Sequence, residues 1–351
     1  MLALLLILVN LFLVPSILNH MGLSKSVAET ARHFLTGIAI GIPAFFVSAV
    51  LRSFIDSLGL TRISMIVTLS TVPINILLNY LLIFGNFGFP ELGGAGSGYA
   101  TGITYWFVLS VSILLIAIHS KIKRFNVLSK PTFFSGKRVR EIIAIGVPNG
   151  LTILFETGIF SAVTILMSHF GTETIAAHQS ANSVCTLLYA FPLSIASSLT
   201  ILVGFETGAK RIQNAKVYRH IGMIAAISIG ILNGFVLFFF RQPVAELYTK
   251  DASLAGLITT FLLYAILFQF ADALLSPVLG ALRGYKDVAV TSVVAFISYW
   301  IIGLPVGYVL SLSSLGAYGF WIGLSTGLFT AAIVLSFRVR RTEKKLAVPI
   351  D

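Results

Sequence analysis

Charged residues are scarce in this sequence. Lysine, arginine, aspartate and glutamate make up 11% of its 351 residues, against roughly 25% in an ordinary soluble domain. Hydrophobic residues make up 57%, and the mean hydropathy is +0.95. These values exclude an ordinary soluble protein and predict an integral membrane protein. Since the apolar runs have the length of helices rather than of short alternating strands, we expect an all-α polytopic fold.

The sequence has only one cysteine and lacks the usual catalytic motifs. The single cysteine, Cys185, lies in an apolar run, which excludes a disulfide framework and a thiolate metal site. We find no metal-ligand spacing, nucleophile elbow or phosphate-binding loop, so an enzyme, an ATP-driven pump and an organic cofactor are not expected. The formal net charge is +11, but the basic residues lie in short loops, so nucleic acid is not an expected partner.

Ten apolar spans follow one another along the chain. They cover residues 1–18, 27–52, 64–86, 96–120, 138–169, 175–206, 217–241, 253–281, 288–312 and 315–337. If the spans alternate in direction, 20 of the 24 lysines and arginines fall on one side of the membrane. This asymmetry predicts that this side, with the C-terminus, is cytoplasmic.

The two halves of the chain resemble each other. Leu51–Asp56 (LRSFID) aligns with Leu282–Asp287 (LRGYKD), and Gly94-Ala95 aligns with Gly316-Ala317 in the same order. The paired loops lie on the same side, so the sequence predicts two lobes related by a parallel repeat. The predicted parts are an incomplete N-terminal lobe of four helices (1–120), a basic linker (121–137), a six-helix C-terminal lobe (138–337) and a cytoplasmic tail (338–351). A complete fold would have twelve helices, so we expect the chain to lack the first two.

Two carboxylates stand inside the apolar spans. Glu156 and Asp272 both belong to the second lobe, in spans that cross in opposite directions. A charge at the centre of a transmembrane helix costs about 2.5–3.5 kcal/mol on insertion scales, so such residues are functional candidates. Around a water-filled cavity the pair could hold a proton or a sodium ion. The alternative is that each acid only accepts hydrogen bonds from a neighbouring helix.

Other polar side chains in the spans are candidates for lining a cavity. Asn75 and Asn79 share one face of a helix because they are four residues apart. Interhelical hydrogen bonding is an equally good interpretation of this pair. Asn149 follows Pro148, where a proline frees backbone carbonyls, and Gln179 lies at the start of the sixth span.

Four segments make the sequence resemble the multidrug and toxic compound extrusion (MATE) family, specifically its NorM-like branch. They are GVPNGLTILFE (146–156), AAHQ (176–179) followed by PLSIASSLTILVGFETGA (192–209), ADALLSPVLGALRGYKD (271–287) and NILLNYLLIFGNFGFPELGGAGSGYAT (75–101). The resemblance covers essentially the whole chain in the right order. It implies twelve helices in two six-helix lobes and export of cationic drugs in exchange for sodium or protons.

The resemblance also implies roles for individual residues. Glu156 and Asp272 would be the cation-binding carboxylates of the C-terminal lobe, with Na⁺ as one candidate ion. Several relatives have a tyrosine one turn before the aspartate, where this chain has Phe268. The expected substrate-cavity residues are Asn75, Asn79, Asn149, Phe268 and Gln179.

The expected function is therefore a secondary multidrug antiporter, a multi-pass and monomeric protein of the inner (plasma) membrane. Its partners would be organic cations and the lipid bilayer, with Na⁺ or H⁺ as the coupling ion. Two alternatives stand beside it. One is a truncated paralogue that transports nothing. The other is a flippase for lipid-linked saccharides of a related fold, which would need a strongly cationic cavity.

Overall fold

The computed structural model describes residues 2–20, 24–119, 122, 125 and 135–347. The part described is helical, and its helices follow the predicted order of spans. The first four are α1 (Leu2–His20), α2 (Lys25–Ser57), α3 (Thr61–Phe84) and α4 (Gly94–Ile118). The others are α5 (Gly136–Met167), α6 (Thr172–Gly208), α7 (Ile212–Tyr248), α8 (Ala252–Gly284), α9 (Ala289–Ser311) and α10 (Tyr318–Ala347).

Nine helices in the described ranges are long and apolar enough to cross a membrane. The tenth, α1, contributes a shorter apolar segment, Ala3–Leu18. The all-α polytopic class is thus confirmed. Several helices run past the apolar spans that predicted them, because polar residues at their ends find tertiary partners. The largest difference is α10, which extends from the expected end at 337 to Ala347.

The chain divides into two compact units, Met1–Phe133 and Phe134–Asp351. Most of the basic linker expected at 121–137 lies outside the described residues. The aligned segments of the sequence repeat lie near helix ends in both units. The LRSFID segment (51–56) lies in the last two turns of α2, whereas the LRGYKD segment (282–287) begins in the last turn of α8 and continues beyond it. Gly94 is the first residue of α4, and its repeat partner Gly316 (φ +52°) lies two residues before α10.

Within the N-terminal unit, α2 and α4 pack closely along a stripe of small residues. A side chain at Gly98 would collide with the backbone of Phe34, and one at Gly102 with the backbone of Gly37. Because glycine has no side chain, it lets the backbones of two helices come into direct contact. This contact sets the position of α3, which also packs on α4.

Within the C-terminal unit, α8 is the central helix. It packs against α6, α7 and α10, and most of its length is buried. The contact with α6 is backbone to backbone, since a side chain at Gly280 would collide with Ala196. Helix α5 packs on α9 instead, so the face of α5 that carries Glu156 is fixed by α9.

Candidate functional site

Glu156 is held in place by contacts between α5 and α9. One turn before it, the Thr152 hydroxyl lies 3.4 Å from that of Thr291. Beside it, the Trp300 indole N–H donates a 3.2 Å hydrogen bond to the Phe155 carbonyl. Glu156 itself is half-buried. These contacts determine which way this turn of α5 faces.

Asp272 is buried on α8, with 3% of its surface exposed. Its Oδ1 accepts a 3.3 Å hydrogen bond from the Ser276 hydroxyl of the same helix, while its Oδ2 is buried without a partner. One turn earlier, the fully buried Gln269 donates from Nε2 to the Cys185 carbonyl at 2.9 Å, and its Oε1 also has no partner. Residues three apart share a helix face. This face of α8 therefore carries two acceptor oxygens that need a donor or a cation.

The two carboxylates lie within electrostatic range of each other. Tyr189 on α6 and Tyr299 on α9 both interact electrostatically with the two acids. We call Glu156, Asp272, Tyr189 and Tyr299 the two-acid cluster. It combines four helices of one unit around two acidic side chains in a low-dielectric interior, where an uncompensated charge is costly.

The side chains of this cluster offer oxygen ligands that suit a hard cation or a proton. In the part of the chain that the structure describes, no three histidine, cysteine, aspartate or glutamate side chains converge as for a transition metal. Two carboxylates and two phenol groups provide only oxygen ligands, which suit hard cations. A proton shared between the acids would satisfy the same unpaired acceptors. The residues present therefore fit either sodium or protons.

Tyr299 reaches the cluster from an irregular stretch of α9. Residues Ile297–Gly303 form a π-helix between two α-helical parts. A π-turn inserts an extra residue and changes the direction of the side chains that follow, and such turns are frequent at functional sites. Tyr299 is 4% exposed, so this local irregularity places a hydroxyl inside the unit.

His178 has a structural environment. It is fully buried, its Nδ1 accepts a 3.1 Å hydrogen bond from the Trp321 indole, and its Nε2 lies 3.1 Å from the Thr164 hydroxyl. Because Trp321 can only donate, Nδ1 must be unprotonated and the proton is assigned to Nε2. His178 is therefore neutral, and the hydrogen bonds of its two ring nitrogens connect α5, α6 and α10.

The other candidates of the C-terminal unit lie in different surroundings. Phe268 is 7% exposed and packs edge-on against Phe160 and Trp321, with ring centroids 5.5 and 5.8 Å away. Gln179 is exposed on α6 next to the buried His178. Asn149 is half-buried on α5, two turns before Glu156 and on the same face. Asn149 thus shares a helix face with Glu156, and Phe268, four residues before Asp272, shares a face with that second acid.

In the N-terminal unit, the asparagine pair forms a hydrogen-bonded chain. Asn79 donates to Asn75 at 2.8 Å, and Asn75 donates to the Thr104 hydroxyl of α4 at 3.2 Å. Asn79 Oδ1 is buried without a partner. The pair therefore connects α3 to α4, which is the bonding that the structural interpretation predicted.

Asn75 also lines a cavity between α2, α3 and α4. The cavity has a volume of about 400 Å³, within the range of small-molecule sites. Phe45 and Tyr105 provide aromatic surface, and the exposed Arg52 is the only basic residue in its described lining. No acidic residue is part of that lining. The cavity thus offers shape and polar contacts, whereas the buried acids belong to the other unit.

Sequence reasoning did not single out Tyr189, Tyr299 or Gln269. The available signal was weak, since a tyrosine in an apolar span is common at membrane interfaces. Gln269 could have been found from its spacing, because it stands one turn before Asp272 and shares its face.

The sequence profile described as MatE matches residues 1–81 and 148–309, ranges that include both acids and both asparagines. A "Probable multidrug resistance protein NorM" from Listeria innocua is 70% identical over 347 residues, which are 99% of this chain and 76% of that protein. A protein of the same name from Halalkalibacterium halodurans is 49% identical, over 97% of this chain and 74% of its own length. Among solved structures, "MATE in complex with MaL6" superposes with a TM-score of 0.87 at 18% identity, covering 98% of this chain and 77% of the other.

Proposed function

The chain belongs to the MatE family, and from that premise we propose that it exports structurally diverse organic cations in exchange for sodium ions or protons. Its relatives are named as multidrug resistance proteins, and the chain is a multi-pass membrane transporter rather than an enzyme. The family resemblance supplies the substrate class. The arrangement of buried side chains supports the coupling mechanism.

The observation that carries the proposal is the pair of unsatisfied oxygens on α8. Asp272 Oδ2 and Gln269 Oε1 have no hydrogen-bond donor, and Glu156 adds a second carboxylate within electrostatic range. A buried acceptor without a partner costs about 1–3 kcal/mol, and more if it is charged. A visiting cation or proton removes that cost, which gives the site a reason to bind one.

Exchange follows if the cluster is occupied differently in the inward-open and outward-open states. A ligand shifts a conformational equilibrium only by its differential affinity for the two states. Binding of a cation neutralises the two-acid cluster, whereas its release restores the repulsion between the acids. The membrane potential contributes about 2.3 kcal/mol per charge per 100 mV to such a cycle.

The substrate is proposed to use the cavity of the N-terminal unit. Its aromatic lining, Phe45 and Tyr105, suits a flat or amphipathic cation through ring contacts and cation–π attraction. Asn75 offers a polar contact from the same wall. A saccharide-pyrophosphate flippase would instead need several basic residues there, and Arg52 is the only one among the described lining residues.

We further propose that the C-terminus is cytoplasmic. The last ten residues of α10 carry five basic side chains: Arg338, Arg340, Arg341, Lys344 and Lys345. Basic residues next to transmembrane helices are retained on the cytoplasmic side.

The proposal is tested by drug accumulation in cells that lack their own exporters. Cells expressing this chain should accumulate less ethidium than cells with an empty vector. Glu156→Gln and Asp272→Asn should each restore accumulation to the vector level while membrane expression is unchanged. Matched controls are Glu141→Gln on α5 and Asp251→Asn at the N-cap of α8. The same accumulation with wild-type chain and vector would favour the inactive paralogue, and full efflux by both acid variants would remove the coupling mechanism.

A further inference from the structure

A groove on the C-terminal unit is not used by the transport mechanism. Helices α7 and α10 both pack along α8 but have little contact with each other, and a groove of about 290 Å³ lies between them. Its lining includes Met223, Leu274, Phe329, Ile333, Phe337 and Arg340. It is a feature of one unit alone.

The groove changes from apolar to cationic along its length. Phe329, Ile333, Phe337 and Arg340 succeed one another on one face of α10, and Ile333 and Phe337 are 58% and 65% exposed. At a rise of 1.5 Å per residue, this face spans about 16 Å, comparable to a lipid acyl chain. The arrangement fits a molecule with a long apolar part and an anionic end.

Within the described residues, the acidic side chains near the cationic end already have partners. Glu343 forms an ion pair with Arg219 (Nε–Oε1 2.6 Å) and accepts a 2.9 Å hydrogen bond from the hydroxyl of Tyr285. Asp287 forms an ion pair with Arg338, in which Nε lies 2.7 Å from Oδ2. Among the described residues, Arg340 forms neither an ion pair nor a hydrogen bond. No anion from the described residues 135–347 neutralises Arg340, which leaves its guanidinium available to an external one.

We propose that this groove binds one anionic diacyl phospholipid. An acyl chain lies along Phe329, Ile333 and Phe337, and the headgroup phosphate contacts Arg340. Basic pockets between transmembrane helices at the charged membrane face bind acidic headgroups in this way. An organic cation is repelled by Arg340. A helix from a second copy would supply apolar contact but no phosphate.

The test uses the full chain, purified, delipidated and titrated with phosphatidylglycerol or phosphatidylcholine under native mass spectrometry. Wild type should retain one phosphatidylglycerol with a preference of about fivefold, equivalent to roughly 1 kcal/mol for one basic residue near anionic headgroups. Arg340→Gln should abolish the preference. Arg341→Gln, an equally exposed neighbour that does not line the groove, should retain it.

A second variant tests the apolar part. Ser336→Trp fills the groove and should lower the number of tightly retained lipids of both headgroup types, while the melting temperature stays at the wild-type value. Equal loss of preference in Arg340→Gln and Arg341→Gln would overturn the proposal in favour of diffuse surface attraction. So would full competition by inorganic phosphate, or a dimer that disappears when Ser336 is replaced.

Discussion

Buried carboxylates in this protein differ in whether they have a partner. Glu206 is 6% exposed, and Arg211 approaches both of its oxygens at 2.7 and 3.2 Å. Glu343 is similarly satisfied by Arg219 and Tyr285. Asp272 is equally buried, yet it has one bond to Ser276 and one free oxygen. Breaking a buried ion pair destabilises a protein. The ion pairs of Glu206 and Glu343 therefore give these two carboxylates a role in stability, whereas Asp272 has no such pair to explain its burial.

A first prediction concerns His178. His178→Ala removes the acceptor of the Trp321 indole and the donor to Thr164, leaving buried polar atoms unpaired, which costs about 1–3 kcal/mol. We expect a lower melting temperature in detergent, with transport per folded molecule retained. Gln179→Ala, an exposed neighbour, is the control. A normal melting temperature with loss of transport would instead give the imidazole a role in proton transfer.

A second prediction concerns the pH dependence of stability at Asp287, which lies in the loop between α8 and α9. Hydrogen bonding to Arg338 is the main cause that lowers the pKa of this carboxyl, with help from Thr342. The stabilisation is therefore fully present above the unfolded pKa of about 3.9, and it is lost as the pH falls through the lower folded pKa. Asp287→Asn should lower the melting temperature by a constant amount from neutral pH to about pH 5.

Below about pH 4 the difference between Asp287→Asn and wild type should shrink, because the carboxyl is then protonated first in the unfolded state and, once the pH falls through the lower folded pKa, in the folded state as well. Melting curves at a series of pH values from neutral to acidic measure it. A difference that stays constant, or widens, at acidic pH would show that the ion pair is not the source of the stabilisation.

At the scale of single residues, the sequence indicated Glu156 and Asp272 as functional candidates but not which side chains surround them. A carboxylate in an apolar span is conspicuous because of its insertion cost. Tyr189 and Tyr299 come from helices far away in sequence, and Tyr299 depends on a π-turn that no local motif announces. Only packing determines which hydroxyls reach the acids.

At the scale of helices, the third prediction compares two glycines of α8. A side chain at Gly280 would collide with the backbone of Ala196, whereas nothing lies within 4 Å at Gly256. Gly280→Ala should therefore force α6 and α8 apart and lower the melting temperature. Gly256→Ala should leave it unchanged or raise it, since alanine stabilises a helix by about 1 kcal/mol relative to glycine. Equal effects of the two substitutions would contradict the close α6–α8 contact.

Helix ends were the least predictable elements. Hydropathy predicted the end of α10 at residue 337, but the helix continues to Ala347. The extension is polar and its contacts are tertiary, since Arg338 binds Asp287 and Glu343 binds Arg219. An apolar window detects what lies in the bilayer, so it misses a helix that is stabilised by ion pairs beyond it.

At the scale of the whole chain, the series of apolar spans followed from the sequence because hydrophobic length is a physical requirement of a bilayer. Nine of the ten predicted spans are helices long and apolar enough to cross a membrane among the described residues, and the parallel repeat stays a prediction. Each unit has its own core and its own polar feature. The N-terminal unit has the cavity with Asn75, and the C-terminal unit has the two-acid cluster. Our proposal is that substrate contacts the first unit and that the coupling ion binds to the second.

The most direct test of that assignment is transport by purified protein in proteoliposomes. A sodium or proton gradient is imposed, and the movement of ethidium is followed by fluorescence for wild type, Glu156→Gln, Asp272→Asn and the Glu141→Gln control. At least one of the two gradients should drive ethidium in wild type and the control, and neither should drive it in the two acid variants, although these fold normally. Undiminished gradient-driven transport in both acid variants would contradict the account.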